Sequence, residues 1–249
     1  MGIIIKSGRE IDRMREAGRV VATVLEMLKL QVKPGMKTRE LDVITQREMK
    51  KLGAVPSSKG YHGFPAAVCV SVNDEIVHGI PGERVLVEGD IVSLDLTAAR
   101  DGFQGDAAIT FGVGKVSPEA EEVMETTQSA LSVGIAAARV GARLGDISAA
   151  IQGHVESRGY SVVREYTGHG IGREMHEEPQ IPNFGLPGTG PELKKGMTLA
   201  IEPMVNVGGW RTRLGKDGWT VLTADGSLSA HFEHTIATVS YTHLRAHET

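Results

Sequence analysis

Apolar residues recur every three or four positions through Ile11, Met14, Val21, Val24, Leu25 and Leu28, a period that predicts a helix buried on one face. Ser7 and Glu10 form a capping-box pattern that starts it, and "KPGMK" at 33–37 breaks it. A second helix is expected from about Thr38 to Gly53. The pattern then changes. "IVSLDLTA" at 91–98 and "LAIEPM" at 199–204 are nearly continuous apolar runs, as buried strands are, yet each carries one carboxylate, Asp95 and Glu202. Between them, Ser117-Pro118 opens a third helix running to about Arg139, "VGARLG" interrupts it, and a fourth helix ends at Gly159.

These elements recur at a nearly constant offset. Gly35 and Gly53 lie 106 residues before Gly141 and Gly159. His62, Gly89 and Asp95 lie 107 residues before His169, Gly196 and Glu202. Five landmarks in one order suggest two copies of one unit, with halves of about 1–115 and 116–239 making a single domain over 1–239. Asp95 and Glu202 then occupy equivalent strand positions, and packing about a pseudo-twofold axis aims both at the centre.

Asp101-Gly102 is a hairpin signal. A two-residue loop there pairs Arg100 with Phe103 and Asp95 with Ala108. Asp106 then shares a face with Asp95. "TVLTADGSLSAHFEHTIAT" reads as a second hairpin turning near Asp225-Gly226, with Glu233 on the returning strand as the counterpart of Asp106. Four carboxylates facing one space repel one another and lose hydration, so they protonate unless cations supply the missing charge. His169 in "EYTGHGIG" adds one imidazole, and oxygen-rich ligation with one nitrogen suits Mn, Fe, Co or Zn. The zincin pattern H-E-x-x-H does not occur.

Composition narrows the setting. A net charge of −4 gives no sign of a nucleic-acid surface, and a three-residue apolar run near the N-terminus is too short for a signal peptide or membrane span. Cys69 is the one cysteine, so no intrachain disulfide can form, and the cytoplasm is the expected compartment. In "AAVCVSV" this thiol reads as packing rather than as a nucleophile. "GHGIGRE" has the glycines of a dinucleotide loop, but no helix follows in "MHEEPQIP".

Taken together, "SLDLTAARDGFQGDAAITF", "TGHGIGREMHEEP", "GTGPELKKGMTLAIEPM" and "DGWTVLTADGSLSAHFEHT" closely resemble type I methionine aminopeptidases, in order from about Ser7 to Thr238. The resemblance implies the pita-bread fold, an α/β (α+β) duplicated unit with a curved antiparallel sheet, outer helices and two divalent metal ions inside. It implies Asp95, Asp106, His169, Glu202 and Glu233 as metal ligands, with Asp106 and Glu233 bridging. It places His78 near the scissile amide, His176 at the substrate carbonyl, and Tyr61, His62, Phe64, Cys69 and Trp219 about a methionine pocket. The implied reaction is metal-assisted hydrolysis at an N-terminal methionine followed by a small residue, with Glu202 carrying the water proton to the leaving amine. Implied partners are nascent polypeptide N-termini and the ribosome, with no specific nucleic acid, no membrane and a monomeric chain.

Gln104, Met175 and Ser58 depart from the family pattern, where histidine, an aromatic residue and cysteine are common. The alternative is another metallopeptidase of the same fold, of the Xaa-Pro aminopeptidase or prolidase type. Those usually carry an extra N-terminal domain, for which a helix starting near residue 7 leaves no room. The tail "SYTHLRAHET" at 240–249 resembles a translated sequencing-library adapter, so His243 and His247 are expected to have no role.

Overall fold

The computed structural model describes residues 2–239 and the two-residue strand Leu244–Arg245. In chain order the described elements are α1 (Gly8–Gln31), α2 (Thr38–Lys51), β1 (Val55–Pro56), a 3-10 turn (Tyr61–Gly63), β2 (Cys69–Val72), β3 (Glu75–Val77), β4 (Ile91–Arg100) and β5 (Phe103–Gly112). There follow α3 (Pro118–Ala137), α4 (Leu144–Glu156), β6 (Ser161–Val162), β7 (Thr167–Gly170), β8 (Glu177–Pro182), β9 (Thr198–Ile201) and β10 (Met204–Asn206). The last are β11 (Thr212–Leu214), β12 (Val221–Thr223), β13 (Ser229–His231), β14 (Glu233–Ala237) and β15 (Leu244–Arg245). The four expected helices form within a few residues of their sequence bounds, and Ser7 caps α1 with the reciprocal Glu10 bond.

The main sheet runs β1-β4-β5-β14-β9-β7-β8, with β2 also on β4 and β15 on β14. All its pairings are antiparallel. The helices supply a core to each half. Val21, Val24 and Leu28 of α1 are fully buried against Leu94, Leu96 and Ala107 in one cluster. Each such side chain contributes about 2 kcal/mol on leaving water. Val123, Ile147 and Ile151 of α3 and α4 pack with Leu199 and Ile201 in the other cluster. Helix α1 sits close on β5: a Cβ at Gly105 would lie 2.5 Å from the Gly18 nitrogen, so the backbones meet where neither residue has a side chain.

The paired glycines share a left-handed backbone conformation, whereas His62 lies in the 3-10 turn with φ +47° and His169 in β7. Gly35 and Gly141 both have φ +89°, and Gly89 and Gly196 have +96° and +88°. Lys37 bridges Val85 as Arg143 bridges Glu192. Each begins its helix with its own amide bonded to a carboxylate, Glu40 and Asp146 respectively.

The first hairpin has the expected register, Arg100 opposite Phe103, Asp95 opposite Ala108 and Thr97 opposite Asp106. The second expected hairpin does not form. The chain does turn at Asp225–Ser227, but β12 leaves it for a small sheet with β11 and β3, while β13 joins β10 and β6. Strand β14 then enters the main sheet between β5 and β9. The alternating pattern specifies strands but not which partner buries them. Of the tail, only the pairing of Leu244–Arg245 with Ile236 and Ala237 is described; His243 and His247 lie outside the described residues. Among the described residues no helix is long and apolar enough to cross a membrane.

Candidate metal centre

The two central strands of the sheet bring the acids together. Ala108 on β5 pairs with Asp95 on β4 at one side and with Glu233 on β14 at the other. One step along, Thr235 exchanges hydrogen bonds with the Asp106 main chain, its hydroxyl 3.0 Å from the amide and 2.9 Å from the carbonyl. Thr235 and His169 both pair with Ala200. Glu202 follows Ile201, the partner of His234, which keeps it beside Glu233. The five sequence-predicted ligands thus rise from β4, β5, β14, β7 and the end of β9 into one cavity of about 260 Å³.

Asp106, His169 and Glu233 place one ligand atom each within 4.8 Å of one another. They are 4%, 7% and 2% exposed. Asp95 and Glu202 are partly buried and face the same cavity. Burial is the first cause of every pKa shift here. It pushes Asp95 up to about 6. It lifts Asp106, Glu202 and Glu233 well above the carboxylate range, with neighbouring acid charges adding to it. Burial drives His169 down to about 3, helped by His176.

The imidazole of His169 aims an acceptor nitrogen into the acid cluster. Its Nδ1 lies 2.9 Å from the Gly170 carbonyl oxygen, which can only accept, so Nδ1 carries the proton. The lone pair of Nε2 then faces Glu202 Oε1 at 3.6 Å and Asp106 Oδ2 at 3.9 Å. Lone pair against ionised carboxylate is repulsive unless a proton or a metal cation sits between them. Glu233 Oε1 is buried with no hydrogen-bond partner, a second polar group left for a ligand to satisfy. The residues therefore fit divalent metal.

The remaining sequence-predicted residues line the same cavity: His78, His176, Tyr61, His62, Phe64, Cys69 and Trp219. His78 has φ +59°, uncommon outside glycine. The following Gly79 pairs its carbonyl with the Val70 amide and leaves no room for a side chain, since a Cβ would lie 2.2 Å from the Val70 oxygen. Burial, then His176, lowers His78 to about 4. His176 stands at the mouth, with Nδ1 2.7 Å from the Tyr61 hydroxyl and its ring 4.3 Å from that of His169. Phe64 and Trp219 meet edge-on at 5.2 Å. With Cys69 they form a small apolar cluster on the cavity wall. Burial, followed by the Asp95 charge, raises the Cys69 thiol, so it stays protonated and unreactive. His62 is exposed and stacks edge-on against Tyr61.

The three departures have places too. Gln104 accepts from Ser57 at 2.6 Å and donates to the Arg173 carbonyl at 3.2 Å, tying the first hairpin to the segment before His176. Ser58 and buried Met175 line the cavity. Sequence reasoning passed over Thr97, whose hydroxyl donates to Asp106 Oδ1 at 2.9 Å. It shares a face with Asp95, and that parity was a usable signal. It also passed over Asn183, which donates to the Glu202 carbonyl at 3.0 Å, and over His231, for which no local signal exists.

The sequence profile of metallopeptidase family M24 matches residues 12–239. A methionine aminopeptidase 1 of Bacillus subtilis (strain 168) is 54% identical over 235 residues, covering 94% of this chain and 95% of the relative. The crystal structure of a methionine aminopeptidase from Thermotoga maritima superposes with a TM-score of 0.98 at 46% identity, covering 100% of both chains. A prolidase from Pyrococcus furiosus has the same fold at TM-score 0.81 and 21% identity, with 99% of this chain covering 66% of that one. The α/β architecture is thus the pita-bread fold.

Proposed function

The chain belongs to metallopeptidase family M24, and on that premise we propose that it is a methionyl aminopeptidase, a hydrolase that removes N-terminal methionine when the second residue is small. One observation carries the reading: four carboxylates and the His169 imidazole converge in a single cavity, with an apolar cluster of Phe64, Cys69 and Trp219 on its wall. Asp95, Asp106, His169, Glu202 and Glu233 would hold two divalent ions drawn from Co, Mn, Fe and Zn. Such ions supply charge neutralisation, a polarised carbonyl and an acidified water.

The chain's own groups do the rest. The apolar cluster takes the methionine side chain, with Met175 as an adaptable wall and Tyr61 and His62 at its edge. Glu202, its basicity raised by burial and by Asp95 and Asp106, accepts the water proton and returns it to the leaving amine. His176, braced by Tyr61, donates to the developing oxyanion, a contribution of about 3 kcal/mol for such a donor. His78 orients the scissile amide. The substrates are nascent polypeptide N-termini, met by a monomer in the cytoplasm at the ribosome.

We also propose that 1–115 and 116–239 are two copies of one unit within a single catalytic domain. The matched glycine conformations and the paired Lys37 and Arg143 bridges support it.

The test of function is methionine release from Met-Ala-Ser, with and without chelator, titrated with each metal. The expected result is release that chelator abolishes and a divalent ion restores. Cleavage of Xaa-Pro peptides with Met-Ala-Ser left intact would overturn the assignment.

A further inference from the structure

His231 is 1% exposed, and neither ring nitrogen has a hydrogen-bond partner. Its main chain is fixed from two sides. The His231 amide donates to Thr110 Oγ1 at 2.9 Å, and that hydroxyl donates back to the His231 carbonyl at 2.7 Å. Strand β10 pairs Met204 with His231 across the small sheet, two residues beyond Glu202. The ring is thereby carried to Glu202, with Nε2 3.8 Å from Oε2. The other oxygen, Oε1, faces His169 at 3.6 Å. The Glu202 carboxylate thus lies between two imidazoles, one at each oxygen. Only that of His169 is committed elsewhere, through Nδ1 to Gly170.

We propose that His231 is the positioning residue for Glu202: an N–H of His231 holds Oε2, so that the two oxygens of Glu202 serve different tasks. The inference rests on the reading of Glu202 as both ligand and proton carrier. A carboxylate free to flip presents either oxygen to the metal side. One pinned through Oε2 keeps Oε1 toward His169 and Oε2 toward the proton it must move. An imidazole carries at least one N–H in either protonation state, so the role does not depend on titration. The separation in this structure is longer than a hydrogen bond, and such contacts commonly close in the working complex.

The experiment compares the full chain with His231→Gln, His231→Leu and His231→Asn. Glutamine keeps an N–H that reaches Oε2, leucine keeps bulk without a donor, and asparagine keeps the amide one methylene short. Crystals soaked with Mn²⁺ give the distance, and steady-state assays on Met-Ala-Ser give kcat and KM. The expected distance from His231 Nε2 to Glu202 Oε2 is about 2.7–3.2 Å with metal bound. The leucine and asparagine variants should lose kcat about 10–100-fold with KM little changed, as lost outer-shell partners do. Glutamine should recover it to within a few-fold. A contact that stays open beyond 3.5 Å, or equal losses in all three variants, overturns the proposal. Should leucine not fold, the glutamine–asparagine difference decides. If the unaltered protein with Mn²⁺ releases no methionine, the aminopeptidase reading falls, while the crystallographic distance still judges His231.

Discussion

At the residue scale, the site depends on groups that hold its acids and histidines in place. Thr97 holds Oδ1 of buried Asp106 through one hydroxyl. Thr97→Val keeps the shape and deletes that donor. We expect Mn²⁺ affinity to fall about tenfold by calorimetric titration, with the fold intact. Gly79 is stricter, because a methyl would meet the Val70 carbonyl oxygen rather than a movable side chain. Gly79→Ala should destabilise by about 2–3 kcal/mol in urea unfolding and lower kcat, since it shifts His78. Asp95 and Glu202 were legible as residues because an acid in an apolar run needs a partner. Gly79 was not, because nothing in "HGIP" says that another strand's carbonyl passes beneath it.

At the element scale, the segment ahead of α1 locks the stretch that carries His176. Lys6 forms a buried ion pair with Glu177, their side chains 4% and 7% exposed. Glu177 Oε1 also accepts the amides of Arg173 at 2.9 Å and Glu174 at 3.3 Å. The Lys6 amide meanwhile bonds the Gly196 carbonyl just before β9. Lys6→Met leaves a buried carboxylate unpaired, and such losses cost about 3–5 kcal/mol. A matching drop in unfolding free energy is expected, together with a lower kcat as His176 loosens. The first hairpin was readable at this scale because a two-residue Asp-Gly loop leaves one register and therefore one parity. The second was not, because β12, β13 and β14 are consecutive in sequence but belong to three sheets.

Across the whole molecule, the buried acids tie stability to metal and pH. Asp106, Glu202 and Glu233 ionise near pH 4 when unfolded and well above that in the metal-free fold. The fold then binds more protons than the unfolded chain, so stability falls as pH rises through that window. The histidines act oppositely. His169 and His231, at about 3, and His78, at about 4, stay neutral in the fold, so their contribution is complete above about pH 6.5 and lost in acid. Asp95, at about 6, has largely titrated by pH 7. Within the window over which the three raised acids ionise in the fold, their effect sets the sign. The metal-free melting temperature should therefore decline with pH, and saturating Mn²⁺ should flatten or reverse the decline. A flat metal-free curve would mean that the acids do not share one buried site.

By itself the sequence determined the helices, the strand parity of Asp95 and Asp106, the doubled order of landmarks and the demand for cations, because periodicity, capping and the cost of buried charge are local. Only the tertiary structure decided which strands meet, that Glu233 arrives through a change of sheet at Phe232, and that His231 comes to rest against Glu202. Those contacts join residues far apart in the chain, and packing rather than local preference selects them.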